Sequence, residues 1–244
     1  MTSLVDSVEP AGFTTASEPL TLGIDTSTVV CAGLARGDQV LASGTVDDTR
    51  AHAEELMPLV VSMLRNAGLT VRDLDAIAVG VGPGPFTGLR VGVVAACVLG
   101  EMLGLPVRGV CSLDVLAAQA VASGLVAGSF VVTSDARRKE LYWARYDRAG
   151  AREAGPAVTT PETLPELPTC GPGTLVHEVP GPVIACANAL DAGVLARGAL
   201  MLPDAGLEPL YLRRPDADVP GARKSAIPTP RLAMGALLTA QEDR

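Results

Sequence analysis

Aromatic side chains are scarce in this 244-residue sequence, at 3% of the chain: one Trp, three Tyr and three Phe. The core must therefore be mostly aliphatic, and base-stacking platforms like those of RNA-binding sheets are not expected. Bases are also outnumbered, because 27 Asp and Glu face 19 Lys and Arg and leave a net charge of −8. Free-standing nucleic-acid-binding proteins usually show the opposite balance. If this protein serves an RNA pathway, we expect another chain to hold most of the phosphates.

Histidine and cysteine are too few and too scattered to predict a metal site. His52 and His177 are the only histidines, and neither has a partner at metal-binding spacing. The five cysteines form no CxxC pair, so we expect reduced, buried thiols rather than a zinc knuckle or a disulfide framework. No apolar run reaches the ~20 residues of a membrane span. Asp6 and Glu9 stand where a signal peptide would be basic and then apolar. We therefore expect a cytoplasmic protein without membrane contact.

The chain divides into four segments by composition. Residues 1–19 lack an apolar period and predict a flexible extension, and residues 215–244 predict a flexible tail. Residues 20–121 predict a first lobe, in which three strands precede a helix–strand–helix–strand–helix order. Residues 122–214 predict a second lobe. This order is typical of an α/β fold with a mixed sheet covered by helices.

Most elements follow from apolar periodicity. In the first lobe, strands are predicted over 20–24, 29–36, 40–46, 76–81 and 107–110. Helices are predicted over 49–67 and from the end of the turn at Gly82–Gly88 to about residue 103, followed by a third helix that Ser112 caps. The second lobe is predicted to contain a hairpin around 136–139, an irregular stretch over 151–180, a strand over 183–187 and a helix over 189–201.

Two polar turns follow predicted strands and are candidates for binding phosphate. One is Asp25-Thr26-Ser27-Thr28, and the other runs from Gly82 to Gly88 before a helix start, where backbone amides can face an anion. The second is not a P-loop, because it lacks the Gly-Lys-Ser/Thr ending, and its two prolines remove donors. A phosphate cradle and a rigid turn that directs the next helix both remain open. The candidate phosphate-facing residues are Asp25, Thr26, Ser27, Gly82, Gly84 and Thr87.

A stripe of small residues runs along the helix after this second turn. Small residues recur every four positions, at Gly88, Gly92, Ala96, Gly100 and Gly104. Each internal Gly costs about 1 kcal/mol relative to Ala, so close approach by another backbone is expected as compensation. That backbone belongs either to this chain's own sheet or to another subunit, and the spacing alone does not decide.

A basic cluster, Arg137-Arg138-Lys139, lies at the predicted hairpin turn. A solvated turn is the simpler interpretation. A weak contact to RNA or phosphate is the sharper one.

Several motifs together resemble one family. They are GIDTST from Gly23, HAEELMPL from His52, LDAIAVG from Leu74, GPGPFTGLRVG from Gly82, and DARR from Asp135. These stretches resemble the TsaB (YeaZ-type) family, which belongs to the bacterial machinery that makes threonylcarbamoyladenosine in tRNA. The agreement covers most of residues 20–214, and Pro85 departs from the Ser that is most common in the family.

The resemblance implies an actin-like fold of the ribonuclease H-like (ASKHA) type, with two lobes that each hold a mixed sheet covered by helices. It also implies a heterodimer with the catalytic paralogue TsaD and a larger complex with the ATPase TsaE. Ser112 and Leu116 stand where TsaD carries its two metal-binding histidines, and neither side chain can replace an imidazole. The chain is therefore expected to be a non-catalytic scaffold subunit without a bound cofactor or metal of its own.

The family also implies how the work is divided. ATP or ADP and the metal would be handled by the partner subunits, and tRNA would be held mainly by TsaD. Two helices of the first lobe would form the contact with TsaD, and the same surface would permit a homodimer in its absence. In this interpretation the small-residue stripe faces the partner. The expected interface residues are His52, Glu55, Leu56, Leu59, Met63, Gly88, Arg90, Gly92, Ala96, Leu99 and Gly100.

Two other functions remain open. One is a free-standing actin-like phosphotransferase or ATPase that uses Asp25 and the turn at Gly82. The other is a protease, although the sequence shows neither a metal pair nor a nucleophile with a base beside it.

Overall fold

A computed structural model describes residues 18–46 and 52–213 of the chain, with the side chains of His52 and Ala53 excepted. The predicted tail lies outside these residues, as does the predicted extension apart from residues 18 and 19. The strands are β1 Leu20–Asp25, β2 Val30–Arg36, β3 Gln39–Val46, β4 Ala76–Gly80, β5 Val107–Val110, β6 Phe130–Asp135, β7 Leu141–Tyr146, β8 Arg152–Thr159 and β9 Thr169–Cys170. The α-helices are α1 His52–Asn66, α2 Phe86–Leu103, α3 Ser112–Ala122 and α4 Ala192–Gly198.

The first sheet has the strand order β3-β2-β1-β4-β5. β1, β2 and β3 form an antiparallel meander, whereas β4 and β5 run parallel to β1. All six residues of β1 are buried, as expected for a central strand covered on both faces. The edge strand β3 alternates exposed and half-buried residues instead. The first-lobe strands predicted from the sequence are all present.

The second sheet has the order β8-β7-β6-β9, with an antiparallel β6–β7–β8 meander and β9 parallel to β6. Two predictions here are wrong. The stretch predicted as irregular contains β8, whose pattern is interrupted by Gly155 and Pro156 and whose pairing with β7 shifts register twice. The strand predicted over 183–187 is reduced to an isolated bridge between Val183 and Thr169.

The helices cover both sheets. α1 packs on β2 and β3, while α2 packs on β4, β1 and β5. α4 is shorter than predicted and begins after Asp191, whose carboxylate accepts a hydrogen bond from the Gly193 amide at 2.8 Å. Its backbone lies so close to the first sheet that a Cβ at Gly23 would come within 2.2 Å of the Ala192 carbonyl oxygen. Only glycine therefore fits beneath α4 at that point.

One buried cluster joins the two sheets. It unites Ala78 of β4 with Phe130 of β6, Tyr146 of β7 and Leu195 of α4. α4 follows the second sheet in sequence yet packs on the first, and residues 52–213 lie in one compact unit. The predicted lobe boundary between residues 121 and 122 stays a prediction. The predicted fold class, an α/β fold of two mixed sheets with covering helices, is confirmed.

Candidate functional site

The Asp25 side chain is enclosed by hydrogen-bonding groups of the same chain. The fully buried Asp25 carboxylate accepts hydrogen bonds from the Ser27 amide at 2.7 Å and from Ser112 Oγ at 2.5 Å. Ser112 Oγ in turn accepts from the Gly82 amide at 3.1 Å, so Ser112 does not cap α3 as predicted. A Cβ at Gly80 would lie 1.6 Å from Asp25 Oδ2, which shows how tightly the carboxylate is enclosed. Burial raises the pKa of Asp25, and the hydrogen bonds from Ser112 and Ser27 oppose that shift.

The two predicted phosphate turns pack against each other. The Gly84 backbone approaches Ser27 so closely that a Cβ would lie 2.5 Å from the Ser27 carbonyl oxygen, and Tyr142 donates a hydrogen bond to the Gly84 carbonyl. The prediction of a phosphate-facing surface is therefore not supported, because most of its members are shielded from solvent by their own contacts. Thr87 is exposed, while Asp25, Thr26, Ser27, Gly82 and Gly84 are buried.

The small-residue stripe of α2 faces the chain's own sheet. A Cβ at Gly92 would lie 2.4 Å from Thr26 Oγ1, and one at Gly100 would lie 2.2 Å from Val107 Cγ2. Thr26 Oγ1 donates to the Gly88 carbonyl at 2.8 Å and accepts from the Gly92 amide at 3.1 Å. The prediction that this stripe meets a partner is thus wrong, since its close neighbour is the first sheet.

Further residues of the predicted interface are also part of the core. Gly88, Ala96 and Met63 are buried in the chain itself, so the structure contradicts their placement at a partner contact. Leu59 is half-buried beside Gly44, whereas Glu55 is exposed. His52 begins α1, and its side chain lies outside the described part of the chain.

The opposite face of α2 is apolar and uncovered. Val94, Val98 and Met102 are 58%, 52% and 77% exposed. Together with Leu56 and Met57 of α1 they border a groove of about 640 Å³, whose lining otherwise consists of Phe86, Thr87, Arg90, Val91, Ala95 and Leu99. Of the predicted interface residues, Leu56, Arg90 and Leu99 line this groove, but Leu56 and Leu99 are themselves buried and only Arg90 is exposed.

Sequence reasoning missed the exposed residues of the groove, although a signal for them exists. Val94, Val98 and Met102 recur every four positions, just as the small residues do, but two positions out of phase with them. Because a four-residue step keeps side chains on one face of a helix, the two series lie on opposite faces.

A cation is held at the rim of this groove. The Arg90 guanidinium lies 3.7 Å from the centroid of the Phe86 ring, and Arg90 Nε donates to the Tyr211 hydroxyl at 2.9 Å. The Phe86 and Tyr211 rings pack with centroids 4.5 Å apart. The Leu210 amide donates to the Val81 carbonyl at 2.8 Å and so fixes Tyr211 beside α2. The groove therefore combines an apolar floor with one fixed positive charge.

Comparisons with known proteins identify the family. The family model described as TsaD: tRNA N6-adenosine threonylcarbamoyltransferase matches residues 41–190, more than half of the chain. The chain belongs to the TsaD family, as a TsaB-type member. TsaB of Escherichia coli is 35% identical over 127 residues, which cover 52% of this chain and 54% of that protein.

Longer matches extend this TsaB-type assignment. An uncharacterized protein of Mycobacterium tuberculosis is 44% identical over 202 residues, covering 80% of this chain and 92% of that protein. The structure of YeaZ from Pseudomonas aeruginosa superposes with a TM-score of 0.64 at 27% identity and covers 80% of this chain and 100% of that one. The fold is thus that of the YeaZ-type proteins, as the resemblance implied, and the function lies in threonylcarbamoyladenosine biosynthesis.

Ser112 and Leu116, the two positions that the resemblance matches with histidines of TsaD, make contacts within the chain. Ser112 is bonded to Asp25, and Leu116 is buried in the core shared by both sheets. Within residues 18–46 and 52–213, no group of three or more His, Cys, Asp or Glu side chains is placed to hold a metal ion. The five thiols are free, and all but Cys97 are buried.

α2 of the TsaB-type chain has the length and apolarity that a membrane span requires. It is 18 residues long with a mean hydropathy of 1.6. By these two measures alone it resembles a membrane helix, but core helices share them, and α2 packs one face on β4 and β1. Its high apolarity follows from having one face in the core and a second apolar face along the groove.

Proposed function

We propose that this chain is a non-catalytic scaffold subunit that docks on a TsaD chain through the groove between α1 and α2. The assembly, completed by TsaE, would transfer threonylcarbamoyl to the adenosine next to the tRNA anticodon in the cytoplasm. The observation that carries the proposal is the uncovered apolar face of α2, formed by Val94, Val98 and Met102. Relatives named as tRNA threonylcarbamoyladenosine biosynthesis protein TsaB supply the pathway.

The exposed apolar side chains of the groove would stabilise a complex that covers them. Covering the remaining exposed half or more of each of these three side chains contributes about 1 kcal/mol per side chain, and the groove walls add to this. Arg90 adds direction, because a fixed guanidinium at the rim favours a carboxylate or carbonyl oxygen on the partner. A TsaD chain of related fold would present helices of matching position, and a second copy of this chain would do so when TsaD is absent.

The enclosed Asp25 turn supports a non-catalytic role. Its carboxylate is fully buried, and Ser112 and Ser27 occupy both of its oxygens. An actin-like phosphotransferase would need this carboxylate to meet phosphate or metal, so the burial argues against that alternative. Handling of ATP or ADP and metal is accordingly assigned to the partner subunits. With a net charge of −8, this chain is also expected to leave most of the tRNA contact to TsaD.

The test is co-purification of tagged TsaD with full-length Val98→Asp. An aspartate at a covered apolar position leaves a buried, unpaired charge, so at least a tenfold loss of affinity for TsaD is expected. Because Val98 is 52% exposed in the free chain, the melting temperature should change by less than 3 °C. The same variant should abolish any homodimer seen by analytical ultracentrifugation.

Val183→Asp is the matched control, since Val183 is 57% exposed and lies outside the groove. It should bind TsaD as the wild type does. Undiminished binding by Val98→Asp, or equal loss in both variants, would contradict docking through this groove.

A further inference from the structure

The turn between β6 and β7 holds three consecutive residues in a left-handed backbone conformation. The φ angles are 63° at Arg137, 53° at Arg138 and 61° at Lys139. The Glu140 amide donates to the Arg137 carbonyl at 3.0 Å, and the Ala136 amide donates to the Glu140 carbonyl at 2.9 Å, which closes the turn. Such angles are uncommon outside Gly, Asn and Asp, and three in succession are rarer still.

The residue types at this turn are not the ones that the backbone favours. A hairpin that needs positive φ is most readily built with Asn and Gly, yet this chain has Arg, Arg and Lys. Lys139 is also one of only two lysines in the whole sequence. Residues with a strained backbone cluster at functional positions. The basic side chains of this turn are therefore candidates for a function that Asn or Gly could not perform.

Two carboxylates, Asp135 and Glu140, flank the turn. Asp135 accepts from the Arg137 amide at 2.9 Å and lies 3.2 Å from His177 Nε2. Glu140 is paired with Arg213, which also donates to the Ala136 carbonyl at 2.9 Å. All three basic residues of the turn are exposed, and Arg137 reaches 75% exposure with its guanidinium 3.7 Å from Asp135. Three consecutive basic side chains are thus exposed at one turn of an acidic chain.

We infer that this turn binds the phosphodiester backbone of RNA. Guanidinium groups match phosphate oxygens in geometry and charge, and a lysine adds a third positive point. Contact with the backbone requires no aromatic platform, which agrees with the scarcity of aromatic residues. A protein interface core is a poorer fit, because such cores are depleted in charged residues and enriched in aromatic ones. The inference rests on the proposed function for its RNA, which would be the tRNA of the complex.

The test replaces the turn by residues that tolerate its backbone. Because Asn accepts left-handed angles, Arg137→Asn/Arg138→Asn/Lys139→Asn should keep the turn and leave the melting temperature equal or higher. A control with the same charge change uses exposed arginines elsewhere, namely Arg65→Gln/Arg72→Gln/Arg148→Gln.

Fluorescence anisotropy with labelled tRNA is measured between 50 and 200 mM salt. It uses the full chain both alone and in complex with TsaD. Each lost phosphate contact lowers the slope of log affinity against log salt by about 1. The turn variant is therefore expected to reduce the slope by about 2–3 and the affinity at 100 mM salt at least tenfold. The arginine control should change the affinity less than threefold.

Several outcomes would overturn the inference. Equal losses in the two triple variants would show a general charge effect, and no loss in either would show that the turn does not touch RNA. Saturable binding of inorganic phosphate or ATP at micromolar concentration, abolished in the turn variant, would assign a small anion instead. Loss of TsaD binding by the turn variant would assign a protein contact.

The two proposals fail separately. The turn lies on the second sheet, whereas the groove belongs to helices that pack on the first. A Val98→Asp chain that loses TsaD while the turn variant keeps full tRNA affinity would remove only the RNA inference. A chain that never binds TsaD, yet loses tRNA affinity through the turn variant, would remove only the docking proposal.

Discussion

Gly92→Ala is predicted to destabilise the fold because the methyl group would collide with Thr26. The added Cβ would lie 2.4 Å from Thr26 Oγ1, a separation that real Cβ atoms essentially never show. The Thr26 side chain is buried and fixed by its bonds to the Gly88 carbonyl and the Gly92 amide. It cannot move aside without breaking both.

The size of the effect follows from three contributions. Overpacking costs about 1–3 kcal/mol, and the two hydrogen bonds contribute about 1 kcal/mol each. Replacing Gly by Ala inside a helix returns about 1 kcal/mol. The free energy of unfolding should therefore fall by about 2–4 kcal/mol, which corresponds to about 5–15 °C in melting temperature.

Urea unfolding of a double-mutant cycle with Thr26→Ala measures the collision itself. Thr26→Ala removes Oγ1, and the remaining Cβ would lie 3.4 Å from the new methyl, within ordinary contact. The double variant should then be no less stable than Thr26→Ala alone, giving a coupling above 1 kcal/mol. Additivity within about 0.5 kcal/mol, or a loss below 1 kcal/mol for Gly92→Ala, would refute the reasoning. Any loss of TsaD binding in Gly92→Ala should scale with unfolding, unlike that of Val98→Asp.

Further predictions concern the enclosed carboxylate and the rim of the groove. Ser112→Ala removes the donor to Asp25 Oδ2 and the acceptor for the Gly82 amide, so urea unfolding should show a loss of about 2–3 kcal/mol; a loss under 0.5 kcal/mol would contradict this. Because burial raises the pKa of Asp25 above 3.8, the folded state binds that proton more tightly. The resulting stabilisation is complete below pH 3.8 and is lost as pH rises through the raised pKa, so Asp25→Asn should flatten this part of the pH profile. Tyr211→Phe removes the acceptor for Arg90 Nε and should weaken TsaD binding several-fold, with a melting temperature within 2 °C of the wild type. Unchanged affinity would show that the hydrogen bond from Arg90 to Tyr211 does not contribute to docking.

The first sheet was predictable because its strands have clear local sequence patterns. β1 and β4 are continuous apolar runs, and the β2–β3 turn at Gly37-Asp38 is short and polar. The second sheet was harder, because β8 includes Gly155 and Pro156, which normally interrupt strands. The packing of α4 could not be predicted from a local pattern, since its seven residues dock mainly on β1 and β2, which lie more than 150 positions earlier in the chain.

The candidate site shows a different kind of limit. Ser112 was interpreted as a helix cap, the commonest use of serine at such a position. Its hydroxyl instead bonds Asp25, 87 residues away, and no local pattern carries that information. Gly92 and Gly100 were recognised as sites of close approach, and the structure agrees, but the approaching groups are Thr26 and Val107 rather than a partner. Gly104, predicted in the same series, is exposed and has no neighbour within 4 Å of an added Cβ.

α2 explains why the partner face was placed on the wrong side. The helix is apolar around nearly its whole circumference, so hydropathy alone does not distinguish a core face from a docking face. Side-chain volume does. The buried face of α2 has Gly92 where Thr26 comes closest, with Ala96 and the larger Val93 buried beside it. A docking face is stabilised by the apolar surface that a partner covers, and the exposed face of α2 carries Val98 and Met102. In α2 the exposed bulky residues are therefore the better candidates for docking, and Gly92 and Gly100 belong to the fold.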